Sequence, residues 1–167
     1  MQPSPIASRD VPDPDAFALL AETHDDLRRR FDALVAPRWR PPPSRGAVLE
    51  AGLWLNIHAA IVTALLYPAV RARSGNSAAL AHAEAGLRQL LDALEALLAA
   101  GLPEDDLAAR LVDLKAMAER QFADEEVALF VQLAREDLEL DVDELGRRCC
   151  DRRRALIAEL GLAEAAH

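Results

Sequence analysis

Two cysteines, adjacent at Cys149 and Cys150, are all that the 167-residue chain offers for disulfides. A bridge between neighbours is strained, so a disulfide framework is excluded and a reducing, cytoplasmic setting is expected. Aromatic residues make up only 4%, glycines number seven, and β-branched runs are few, which leaves little material for sheet. Positive charge is also scarce. With 19 Lys and Arg against 28 Asp and Glu the net charge is -9, and no basic arm stands out, so no nucleic-acid partner is expected. A Gly-rich phosphate loop, a nucleophile elbow and a C-x-x-C pair are all missing, and no Ser-His-Asp set can be placed. Catalysis in the ordinary sense is therefore not expected.

What is present is alanine and leucine, which carry most of the 51% hydrophobic content and favour helix. An 18.2 kDa chain fits one domain that buries roughly two thirds of its unfolded surface. Residues 1–14 hold four prolines and no long apolar core, and read as a disordered leader rather than a signal peptide. The stretch from Ala51 to Val70 has the length and apolarity of a membrane crossing. However, Asn56 and His58 stand near its middle and no positive cluster precedes it, so a buried helix is expected instead of a span.

Apolar periodicity and punctuation divide the chain into five helices: about Asp15 to Ala36, Ala47 to Arg73, Ser77 to Ala100, Pro103 to Glu136 and Val142 to Leu160. A Pro-rich loop with Trp39 follows the first, and Gly101 stops the third. The fold class expected is all-α: an up-down-up-down four-helix bundle over 15–136, with the helix of 137–167 packed outside it.

Steps of three and four place Leu20, His24, Leu27, Phe31 and Leu34 on one face of the first helix, and Trp54, His58, Val62 and Leu65 on one face of the second. The same stepping gives Leu80, Glu84, Leu87, Leu91, Leu94 and Leu98 in the third, and Leu114, Ala118, Gln121, Glu125 and Leu129 in the fourth. His82 falls off the stripe and is expected to face solvent. Each helix of the bundle thus aims a polar side chain inward. Buried ionisable groups are costly unless paired, hydrogen-bonded or bound to metal. His24, His58, Glu84, Gln121 and Glu125 would meet at mid-height, either as ligands for iron, manganese or zinc or as a metal-free polar layer.

These residues resemble a known family. His58-Ala-Ala-Ile-Val62-Thr63-Ala-Leu-Leu66-Tyr67-Pro68 is similar to the H-x-x-x-E-E-x-x-L-(Y/F)-P signature of hemerythrin-like (HHE cation-binding) domains. Gln121-Phe-Ala-Asp-Glu125-Glu126-Val-Ala-Leu-Phe130 resembles a second copy, 63 residues on. The segment from Leu20 through His24 to Leu27 resembles the family's first-helix D-H-x-x-(I/L) motif, and Glu84 sits where its counterpart histidine is expected, as in a repeat of two helical hairpins. The resemblance implies a bundle holding a non-haem iron pair for oxygen or nitric oxide binding, iron handling or sensing. The ligand set departs from it: Val62 replaces a bridging carboxylate, Gln121 a histidine and Glu84 another histidine.

Two readings follow. In the first, the chain is a degenerate hemerythrin-like module with a structural polar layer, a sensing or interaction role, and a protein partner or second copy as its target. In the second, His24, His58, Glu84 and Glu125, with Gln121 as ligand or hydrogen-bond partner, hold one iron or other divalent transition ion and, with iron, a small gas ligand. A di-iron centre is not expected without a carboxylate at position 62. Cys149 and Cys150, beside Arg147, Arg148 and Arg152 to Arg154, read either as a thiol pair activated by positive charge or as one packed residue and one surface thiol.

Overall fold

The computed structural model describes residues 14–35, 43–127 and 141–162, and among these residues every regular element is helical. Helix α1 (Ala16–Leu34) starts where the Asp15 carboxylate accepts hydrogen bonds from the backbone N–H groups of Phe17 and Ala18, at 2.9 and 2.8 Å. Ser44 caps α2 (Arg45–Ser74) in the same way, and Ser77 caps α3 (Ala78–Ala99). Helix α4 (Glu104–Glu125) follows Pro103, and α5 (Val142–Glu159) is capped by Asp141. Gly75 and Gly101, at φ of 68° and 58°, let the chain turn out of α2 and α3 through the left-handed region.

Helix α2 is not uniform. It is α-helical over Arg45–Ile61, widens to a π turn at Val62–Leu66, and is α-helical again over Tyr67–Ser74. Pro68 supplies the cause: it has no N–H to donate, and its ring crowds the carbonyl four residues back, so the turn opens and the Tyr67 N–H reaches the Val62 carbonyl. The extra residue advances the inward face. Leu66, Tyr67 and Val70 are buried, while Leu65, the stripe position expected from regular stepping, is only half-buried.

Helix α1 touches α2 and α4, and α3 touches the same two, so the four contact one another cyclically around a core that includes Leu27, Phe31, Leu55, Leu87, Leu90, Leu111 and Phe122. Helix α2 has the length and apolarity of a membrane crossing, yet more than half of its most apolar window is buried. Helix α5 lies on α1 and α2 and buries Leu145, Gly146, Cys149, Cys150 and Ile157. Its approach depends on Gly146, where a Cβ would lie 2.3 Å from the Pro14 carbonyl oxygen and 2.8 Å from the Ala16 nitrogen.

Of the two cysteine readings neither holds as stated: Cys149 is packed, as the second expected of one residue, but Cys150 is buried as well. Neither thiol is on the surface, and burial, reinforced by the neighbouring Cys150, pushes the Cys149 thiol up to about 11 against the pull of Arg148. A thiol so held is protonated and inert at neutral pH. The leader over residues 1–13, Trp39 and the fourth helix beyond residue 127 lie outside the described residues.

Candidate metal centre

Helices α1, α2 and α4 bring His24, His58 and Glu125 together in the core, each at most 1% exposed. Helical spacing explains each placement: His24 lies between Leu20 and Leu27 on the buried face of α1, His58 lies one turn after Trp54, and Glu125 lies one turn after Gln121. Nε2 of His24 and Nε2 of His58 lie 2.9 and 3.0 Å from the same oxygen, Oε2 of Glu125. The three ligand atoms lie within 4.8 Å of one another.

The other Glu125 oxygen is equally committed. Oε1 accepts hydrogen bonds from the Tyr67 hydroxyl and from Nε2 of Gln121, the latter at 2.7 Å. Burial opposes ionisation of Glu125, but the charge of His58 and hydrogen bonds from both histidines outweigh it, so the carboxyl is held well below the usual carboxylate range. Burial and the Glu125 charge push the Tyr67 phenol far above its ordinary value, which keeps its proton on the donating oxygen.

Glu126 completes the shell from outside. Its Oε1 lies 2.9 Å from Nδ1 of His24 and accepts from Nη2 of Arg28 at the same distance, and Arg28 also reaches Glu119 and Asp25. With carboxylate oxygens at both ring nitrogens, His24 donates to both only as imidazolium. If Nε2 instead ligates a metal, the Nδ1–H bond to Glu126 remains, as is usual for metal-bound histidines, and fixes the ring. Phe122 adds packing, stacked on His24 at 4.7 Å between centroids and edge-on to His58 at 5.9 Å.

Of the five site residues expected from the sequence, four converge and one does not. Glu84 is half-buried on the outside of α3 and pairs with Arg71, and Ala83 takes the inward position. The α3 stripe runs through Leu80, Ala83, Leu87, Leu90, Leu94 and Leu97. Gln121 faces inward but supplies its nitrogen rather than its oxygen, donating to Glu125 and, at 2.9 Å, to the Ala83 carbonyl. It is thus a hydrogen-bond partner of the cluster. Tyr67 and Glu126 carry roles that stripe reasoning did not assign, although both stand in the quoted motifs. His82 is largely exposed, as expected, and pairs with Asp124.

Two imidazoles and a carboxylate from three helices form a group that could hold a metal ion. Val62 is fully buried and offers no ligand atom. Comparison of the chain with protein-family models, with curated proteins and with solved structures gives no match.

Proposed function

We propose that the chain is a hemerythrin-like, up-down-up-down four-helix bundle that binds one divalent transition-metal ion through His24, His58 and Glu125 and serves as a non-catalytic sensing module in the cytoplasm. The observation that carries this reading is the convergence of two imidazole nitrogens on one oxygen of Glu125 inside the core. Iron, manganese or zinc bound there would supply a buried Lewis-acidic charge, and iron would extend the reading to oxygen or nitric oxide sensing. Glu126 orients the His24 ring, Tyr67 and Gln121 fix the carboxylate, and Phe122 helps exclude water from both rings.

A second reading has its own support. Glu125 receives four hydrogen bonds from the protein itself, which suits a metal-free polar layer in a module that answers to a protein partner or to a second copy of the chain. Elemental analysis and an optical spectrum of untagged protein, beside a His24→Ala variant, separate the two. Metal in the wild type and its loss in the variant support the first reading. Negligible metal in both, with melting unmoved by chelator, supports the second.

A further inference from the structure

The two oxygens of Glu125 have different duties. Oε2 faces both imidazole nitrogens, Nε2 of His24 at 2.9 Å and Nε2 of His58 at 3.0 Å. Oε1 accepts from the Tyr67 hydroxyl and, at 2.7 Å, from Nε2 of Gln121. A carboxylate oxygen has about two acceptor positions, so on Oε1 both are taken.

The two donors are themselves held in place. Tyr67 is buried and is brought inward by the π turn of α2, a departure from regular helix that is frequent at functional positions. Gln121 is buried too, and its Nε2 also donates to the Ala83 carbonyl at 2.9 Å. Its amide oxygen points at Gly86, where a Cβ would lie 2.2 Å from it, while the nitrogen takes the Glu125 side. Val62 and Phe122 are buried beside the cluster and carry no ligand atom. An ion between the helices therefore meets two imidazole nitrogens and a single oxygen of Glu125.

We propose that Tyr67 is a positioning residue that sets which ion the centre takes: by holding Oε1 it confines Glu125 to one ligating oxygen, and so fits the site to zinc-like ions rather than to manganese. Zinc is satisfied by four ligands with imidazole among them, whereas manganese favours six oxygens. Removing the hydroxyl returns an acceptor position to Oε1, and Glu125 can then bind through both oxygens. The inference rests on the metal-binding reading and narrows it.

Metal-free full chain, as wild type and as Tyr67→Phe, is titrated with Co²⁺ as the zinc-like probe, followed by visible absorption, and with Mn²⁺, followed by the paramagnetic resonance of the free ion. The wild type is expected to show the intense absorption of four-coordinate cobalt. In the variant that absorption weakens for each bound ion, and the preference for cobalt over manganese falls about tenfold. A residue that served packing alone would move neither readout, and circular dichroism checks that the variant is folded. If it is not, Gln121→Met, which removes the other donor to Oε1, is expected to move both readouts in the same direction. The weak spectrum of six-coordinate cobalt in the wild type, or a band intensity or ion preference unchanged in the folded variant, would overturn the role of Tyr67. No cobalt binding by the wild type would overturn the metal-binding reading and this inference with it.

Discussion

Glu125 carries four hydrogen bonds on one buried carboxylate, and removing it strands two imidazoles in the core. Breaking a buried charged cluster from one side costs about 3–5 kcal/mol, so Glu125→Ala is expected to lose stability of that order in urea denaturation, and a loss below about 1 kcal/mol would contradict the network. Glu84 offers the contrast. Its pair with Arg71 is partly exposed and worth about 0–1 kcal/mol, so Glu84→Ala is expected to leave both stability and metal content nearly unchanged. The two glutamates were not separable by periodicity. Stepping 80, 84, 87, 91, 94, 98 and stepping 80, 83, 87, 90, 94, 97 share three leucines, and leucine also occupies 90, 91, 97 and 98, so the apolar pattern fits either phase. His24, His58, Gln121 and Glu125 were legible because each interrupts a seam that is otherwise apolar on that face. Glu126 was not, because its role depends on the neighbouring helix presenting His24 and Arg28 to it.

Most helix ends were readable from short-range chemistry, since Asp15, Ser77, Gly75 and Gly101 act through their own turns, but α2 begins at Arg45 under the Ser44 cap, two residues before the expected Ala47. The π turn in α2 was not, although its cause, Pro68, is plain in the sequence, because a proline can end, kink or widen a helix and only the packed structure selects among these. That widening brings Tyr67 inward to Glu125. Helix α5 is likewise more integral than its position in the chain suggested. Gly146→Ala would drive a Cβ into the backbone of Pro14 and Ala16, which cannot yield as a side-chain tip can, and is expected to cost about 1–3 kcal/mol by thermal or urea melting. A melt unchanged by this substitution would show that α5 does not pack there. The same packing predicts that Cys149 and Cys150 resist a thiol reagent at neutral pH in the native protein and that both react in denaturant.

The whole molecule combines these terms in its response to pH. Burial opposes ionisation of Asp26, but hydrogen bonds and charge from Arg30 and Arg29 prevail and lower its proton affinity, as the histidines do for Glu125. For both groups the folded state binds protons less readily than the unfolded chain. Their stabilisation is therefore fully present above the ordinary carboxylate range and is lost as pH falls through and below it. Tm is expected to drop as pH is lowered from about 5 to 3, and a Tm that holds or rises there would contradict the assignment. The all-α architecture followed from composition, but convergence of the site required helices far apart in sequence to meet, which no local pattern fixes. The most direct measurement is titration of metal-free, untagged protein with Co²⁺, followed by visible absorption, in the wild type and in His58→Ala. A break at one ion per chain that vanishes in the variant is the result expected of a His24, His58 and Glu125 centre, and either no saturable binding or identical binding by the variant would contradict it.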